Sequence, residues 1–238
     1  MARLIIFITL LFPSFSNAST TLLFYEDYAP YSGKDSNGPV GLFADIVMTI
    51  FDKMNIPVET EVLPFKRAML KGYLGEGIVV GIYKTPERLE KLQYSDGFFL
   101  ESIILFQNKT TPFKYSGINS LKNRSIGCRL GFSYGASFDK AKKEGLFQPI
   151  GKNDYNNLLR LSKNRIDGLV MDKEVGNYLI RKHSLKNIIP VLSPTIHTSQ
   201  VYIAARKDKF GKIIERFNLE LSKLKQTPEY QELISKYK

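Results

Sequence analysis

The chain has 238 residues, 43% hydrophobic and 24% charged, which is enough apolar material for one or two ordinary globular cores and too much for a disordered or low-complexity protein. Its single cysteine, Cys128, excludes an intrachain disulfide and a cysteine-based zinc site, and no cofactor is expected. The formal charge of +11 invites a nucleic-acid reading, but the cations are scattered, with no arginine-rich tail and no basic stripe interleaved with aromatics, so a solvated basic surface and no nucleic-acid partner are expected.

The first eighteen residues read as a secretory leader. Arg3 precedes the apolar run Leu4–Phe12, Pro13 follows it, and Ser16-Asn17-Ala18 supplies the small residues of a cleavage site near Ala18-Ser19. The run falls well short of the roughly 20 residues that span a bilayer. The rest of the chain is expected to be exported and soluble.

From there strand-like and helix-like segments alternate, the pattern of an α/β fold with largely parallel sheets. Leu22–Tyr25 reads as a short buried strand. Phe43, Ile46, Val47, Ile50, Phe51 and Met54 follow helical spacing and predict an amphipathic helix over Leu42–Met54. Val58, Thr60 and Val62 alternate with Glu59 and Glu61, the period of a half-buried strand. A short helix through Arg67–Lys71 leads to a continuous apolar strand, Gly77–Ile82. A second set begins after Asn108: strands at Ser125–Leu130, Asp167–Met171 and Ile188–Leu192, and helices at Ala136–Glu144, Tyr155–Lys163 and Lys173–Lys182. Val201–Ala205 resumes an apolar strand and two helices close the chain, the last with Thr227 as its cap and Pro228 at its first position.

This order predicts two lobes, one inserted into the other: residues 19–104 plus 200–238 as the first and 105–199 as the second, after a leader at 1–18. The crossovers fall in two β-prone stretches, Ser102–Phe106 and Ser199–Tyr202, which suit a pair of hinge strands that let the lobes close on a ligand.

Three local patterns carry a resemblance. Tyr28-Ala29-Pro30-Tyr31 follows the opening strand, and Gly41-Leu42-Phe43-Ala44-Asp45-Ile46 opens a helix. Lys84-Thr85-Pro86-Glu87-Arg88 follows a strand and precedes Tyr94-Ser95-Asp96. Arg165-Ile166-Asp167-Gly168-Leu169-Val170-Met171-Asp172 runs from helix end through strand. In this order and spacing, with Tyr202–Lys207 and Thr227–Tyr237 at the end, the chain resembles a divergent member of the extracellular solute-binding proteins of family 3, the periplasmic receptors of polar amino-acid ABC importers. The resemblance implies a monomeric periplasmic receptor with a two-lobed fold. It would bind an amino acid or related carboxylate reversibly and dock on a membrane permease, without catalysis.

The chemistry of such a site fits particular residues. A zwitterion needs a cation and an anion placed together, and a guanidinium gives a carboxylate two parallel hydrogen bonds. Arg88, just beyond a strand end, is the carboxylate clamp that the resemblance implies. Ser133, between a strand and the helix from Ala136, would hold the same anion. Asp172 would accept from the α-ammonium, and Tyr28 would cover the apolar face. Each has a plainer reading: Arg88 in a surface pair with Glu87 or Glu90, Asp172 as the cap of the helix starting at Lys173, Tyr28 as core. The sequence departs from the family pattern before Arg88, where Gly81 and Tyr83 replace small hydroxyl residues and Gly81 leaves only backbone groups. Pro64-Phe65-Lys66-Arg67-Ala68 offers Arg67 as a second cation of the cleft or as a surface residue.

Two rival readings have their own residues. Gly131-Phe132-Ser133-Tyr134-Gly135 matches G-x-S-x-G, and Asp167 or Asp172 and His183 or His197 follow in the order of a hydrolase triad. Against it, Arg129 interrupts the strand that such an enzyme needs to be apolar, and no histidine-bearing oxyanion loop precedes it. A dehydratase in the same cleft would draw on carboxylates such as Glu174. A solute sensor that signals to a membrane partner without transport is the third reading. The two histidines show no metal-ligand spacing.

Overall fold

The computed structural model describes residues 19–151 and 153–237, so the expected leader at 1–18 lies outside the described residues. The first part of the chain forms β1 (Thr20–Tyr25), a hairpin of β2 (Gly33–Asp35) and β3 (Gly38–Val40), α1 (Leu42–Lys53), β4 (Val58–Leu63), α2 (Phe65–Leu74), β5 (Ile78–Ile82), α3 (Pro86–Lys91) and β6 (Leu92–Tyr94). There follow β7 (Phe99–Asn108), β8 (Ser125–Cys128), α4 (Ala136–Lys143), β9 (Gln148–Gly151), α5 (Asp154–Ser162), β10 (Gly168–Asp172), α6 (Lys173–Lys182) and β11 (Ile188–Val191). The chain ends with β12 (His197–Arg206), α7 (Gly211–Leu224) and α8 (Pro228–Ser235).

Strand order is β4-β1-β5-β12-β7-β10-β8-β9, with β6 added beside β12 and β11 beside β7. β1 runs parallel to β4 and β5, and β8 runs parallel to β9 and β10, as strands joined by helical crossovers must. Among the described residues the two halves of the sheet join through β7 and β12, which pair antiparallel from Phe99↔Val201 to Ile103↔His197. Beyond that pairing each strand joins its own lobe: β12 continues beside β5 and β6, and β7 beside β10 and β11. The result is two α/β lobes joined by two hinge strands. The pairing begins at Phe99, three residues before the crossover expected at Ser102, and Ile104–Phe106 already belong to the sheet of the second lobe.

Hydrophobic periodicity accounts for most of these elements. In α1 the residues Phe43, Ile46, Val47, Ile50 and Phe51 are fully buried, and Phe51 packs on Phe217 of α7 with ring centroids 6.0 Å apart. β5 is buried at every position, as a central strand covered on both faces should be. Thr85 caps α3 by accepting from the Arg88 N–H at 3.3 Å, with Pro86 in the first turn. That cap fixes where Arg88 leaves the helix. Thr227 stands at the start of α8 but caps differently from the expected way, because its hydroxyl donates back to the Leu224 carbonyl at 2.7 Å.

Candidate functional site

The cleft between the lobes is built on the hinge. From the first lobe, the end of β5 delivers Gly81 and Tyr83, and the first turn of α3 delivers Arg88. Tyr25, Tyr28 and Phe65 line the same wall. From the second lobe come the loop between β8 and α4, carrying Arg129 and Phe132, and the last residue of β10, Asp172.

Arg88 is 8% exposed. Its guanidinium lies 5.6 Å from the centroid of the Phe65 ring, donates to the Tyr83 carbonyl at 3.0 Å, and crosses to the second lobe to donate to the Gly131 carbonyl at 3.4 Å. Its place is therefore the lobe interface, and no ion pair ties it to Glu87 or Glu90 among the described residues. Arg129 makes the reciprocal crossing, donating to the carbonyls of Asp27 at 2.7 Å and Glu26 at 3.2 Å while its guanidinium pairs with Asp154 at 3.3 Å. Phe132 lies under the Arg129 guanidinium, 4.7 Å from its ring centroid, and projects into the aromatic wall, with centroids 4.5 Å from Phe65, 5.6 Å from Tyr28 and 6.0 Å from Tyr25.

Three buried acids face this region. Glu101, on the hinge strand β7, is 1% exposed; one oxygen, Oε2, accepts from the hydroxyls of Tyr83 and, at 3.3 Å, Tyr28. Its other oxygen accepts no hydrogen bond. Burial raises its carboxyl well above the usual range, the charge of Asp172 raises it further, and the two hydroxyls oppose the rise. Asp172 is 2% exposed and caps α6, its Oδ1 accepting from the N–H groups of Glu174 at 2.8 Å and Val175 at 3.0 Å. Its Oδ2 is again unmatched. Burial outweighs those two N–H groups and pushes Asp172 up to about 6. Asp154 is also pushed up to about 6, because burial outweighs the pull of Arg129.

Two narrow cavities lie at the Arg88 and Phe132 wall, one of about 20 Å³ bordered by Glu101 and Arg88, the other of about 10 Å³ bordered by Asp172 and Asp154; a larger cavity of about 620 Å³ also lies between the lobes, reaching Asp172 from the side of Tyr31, Leu42 and Lys173. Tyr28, Tyr83, Phe132 and Ser133 line both narrow cavities. The structure thus brings Tyr28, Gly81, Arg88, Ser133 and Asp172 to one place, and it leaves Arg67 out. Arg67 is exposed on α2 and lines neither cavity, because its position on the helix turns it away from the buried face formed by Phe65, Ala68 and Met69. Gly81 has φ +82°, its carbonyl accepts from the Tyr25 hydroxyl at 2.9 Å, and a Cβ there would lie 2.5 Å from the Phe43 ring. Asp172 caps α6, one of its two expected roles, and also lines the smaller of the two narrow cavities.

Ser133 differs from expectation in its chemistry. Its hydroxyl donates to Asp139 Oδ2 at 2.5 Å, inside its own lobe, so the proton expected for a bound anion is already engaged. Neither histidine touches it: His183 stacks on Tyr155 with centroids 4.1 Å apart, and His197 lies against Gly135 with its ring 6.5 Å from that of Tyr83. Glu174 pairs with Lys173 at 3.1 Å. The residues missed by sequence reasoning are Glu101, Phe132 and the lobe-bridging role of Arg129. Glu101 carried a readable signal, a lone acid inside the apolar run Phe98–Phe106.

Comparisons with known proteins agree with this architecture. The arginine-binding periplasmic protein of Mannheimia haemolytica is 25% identical over 228 residues, covering 93% of this chain and 92% of that protein. The arginine-binding extracellular protein ArtP of Bacillus subtilis (strain 168) is 21% identical over 214 residues, covering 89% and 82%. Among solved structures, a histidine kinase sensor domain with similarity to periplasmic binding proteins superposes with a TM-score of 0.82 at 20% identity, covering 92% of this chain and 96% of that one. The family model of the bacterial extracellular solute-binding proteins, family 3, matches residues 21–238, and the chain belongs to that family.

Proposed function

We propose that the protein is a periplasmic receptor that captures an amino acid or similar small carboxylate between its lobes and delivers it, as a monomer, to the permease of an ABC importer. The observation that carries this reading is the opposition of charge across one cleft. The buried guanidinium of Arg88 stands on the first lobe, the buried carboxylates of Asp172 and Glu101 stand on the second lobe and the hinge, and no ion pair joins them among the described residues. A zwitterion satisfies both signs at once, and only a closed cleft lets it do so. Each charge-assisted hydrogen bond contributes about 1.5–3 kcal/mol, and micromolar affinity requires about 8 kcal/mol, so Arg88, Asp172 and a few neutral contacts suffice.

Within this reading the lobes divide near the expected 19–104 plus 200–238 and 105–199, with Ile104 going to the second lobe through its pairing with Met171. Arg88 holds the ligand carboxylate, backbone groups near Gly81 and Ser133 support it, Asp172 receives the ammonium, and Tyr28 covers the apolar part. Two of the relatives reported above are named for arginine binding and another relative, from Campylobacter jejuni, for probable histidine binding, which makes basic amino acids, arginine first, the leading candidates. A thermal-shift screen of amino acids, dipeptides and small organic acids tests the proposal, since a ligand at 100 times its Kd adds about 2.7 kcal/mol of stability. At least one carboxylate-bearing solute should raise the melting temperature, and a flat screen would overturn the reading. A sensor that signals without transport would use the same cleft and has a sensor domain as a structural neighbour. Solute uptake that depends on this protein in membrane vesicles bearing the permease separates importer from sensor.

A further inference from the structure

We infer that Glu101 is a second ammonium-binding residue of the cleft, acting with Asp172 to select ligands that carry a primary amine; this rests on the receptor reading above and deepens it. The geometry begins in the sheet. Asp172 is paired with Ile103 across β10 and β7, and Glu101 lies two residues from Ile103, so both carboxylates project from the same face as diagonal neighbours. Such positions are about 7–8 Å apart along the backbone, within reach of each other through long side chains. The cavity beside Glu101 and the cavity beside Asp172 share Tyr28, Tyr83, Phe132 and Ser133 as walls, so the two acids flank one seam from neighbouring cavities.

Each acid offers that seam a single oxygen. Glu101 Oε2 is held by two tyrosine hydroxyls and Asp172 Oδ1 by two backbone N–H groups, while Glu101 Oε1 and Asp172 Oδ2 are buried and accept no hydrogen bond. The Tyr31 hydroxyl stands beside Asp172 and favours its charged form, while Oδ2 itself is left without a partner. No cation lies within ion-pair distance of either acid among the described residues, although buried carboxylates are costly unless paired. A guanidinium fork pairs best with both oxygens of one carboxylate, and here neither carboxylate has two to give. An ammonium presents three N–H donors in different directions, which suits two single oxygens from different strands and a hydroxyl oxygen between them. Calcium and magnesium take six or more oxygens, and no group of three acids, histidines or cysteines that would hold a metal ion occurs among the described residues.

The test measures affinities of the twenty common L-amino acids and their des-amino acids, such as L-arginine against 5-guanidinopentanoate, for the wild type and Glu101→Gln. Wild type should bind its amino acid at least tenfold more tightly than the des-amino acid, and Glu101→Gln should weaken the amino acid at least tenfold while changing the des-amino acid by less than twofold. If wild type makes no distinction between the pair, or if Glu101→Gln binds the amino acid as wild type does, the role of Glu101 falls and the receptor reading stands. If no member of either set binds the wild type, the role of Glu101 falls, and the receptor reading rests on the wider screen of dipeptides and small organic acids. The comparison on wild type needs no variant, so poor folding of Glu101→Gln would not spare the inference.

Discussion

Arg129 donates to the carbonyl of Asp27 at 2.7 Å across 102 residues of sequence, tying the second lobe to the first at the mouth of the cleft. The same guanidinium pairs with the buried Asp154, so a simple deletion mixes two effects. Arg129→Ala should be destabilising by about 3–5 kcal/mol, since it strands a buried carboxylate. Arg129→Ala/Asp154→Asn removes the stranded charge and should recover most of that stability, yet still lack the clasp. Small-angle scattering should then report a larger radius of gyration for the double variant than for wild type. Equal radii would show that Arg129 serves only Asp154.

Arg88 has the same kind of reach with a different purpose. Its fork contacts the Tyr83 and Gly131 carbonyls, neutral acceptors that a ligand carboxylate outcompetes. Arg88→Ala should abolish the thermal shift given by the best ligand, and Arg88→Lys, which keeps the charge and loses the fork, should weaken binding at least tenfold by titration calorimetry. A full response in Arg88→Ala would remove the carboxylate clamp.

The elements around these arginines were readable because their cause is local. Helix α1 and strand β5 follow from hydrophobic spacing within a dozen residues, and the position of Arg88 follows from a Thr-Pro cap directly before it. The β2–β3 hairpin was missed despite Asn37-Gly38 at its turn, because two three-residue strands carry almost no hydrophobic pattern. Edge strand β9, with Pro149 and two exposed positions, hid for the same reason. The partners of Arg129 are backbone carbonyls, which have no residue-type signature, so its bridge is invisible to any reading of side chains. Ser133 shows another limit: the sequence places a hydroxyl at a helix start, but that Asp139, six residues on and over that start, takes its proton follows from the fold.

Asp172 sets stability against binding. Its folded value of about 6 lies above the ordinary 3.8, so the folded protein holds the extra proton between those values. Stability from this group is therefore greatest below about pH 4, declines as pH rises through the window, and stays reduced above 6. Asp172→Asn keeps an acceptable cap for α6 and removes the buried charge. Urea unfolding should show the variant more stable than wild type at pH 8, by up to about 3 kcal/mol, and equal to it at pH 4. The same variant should bind ligand at least tenfold more weakly. Lower stability at pH 8 would mean that Asp172 is held charged at low cost by its cap bonds.

Phe132 limits what can enter. Its ring sits on Phe65 at 4.5 Å and on Tyr28 at 5.6 Å, and the cavities beside it measure about 20 and 10 Å³, each no larger than a site for one water-sized group. An amino acid therefore reaches Arg88 and Asp172 together only when the lobes part and this ring withdraws from the aromatic wall. That withdrawal breaks aromatic contacts worth about 0.5–1.5 kcal/mol each, a cost subtracted from the affinity of every ligand. Phe132→Ala removes it in advance. Affinity should rise several-fold for the preferred amino acid and more for those with larger side chains, read by titration calorimetry, while the fold loses less than the 3–5 kcal/mol typical of a fully buried phenylalanine. A uniform fall in affinity across the amino acids would reverse the assignment and make Phe132 part of the ligand's own wall.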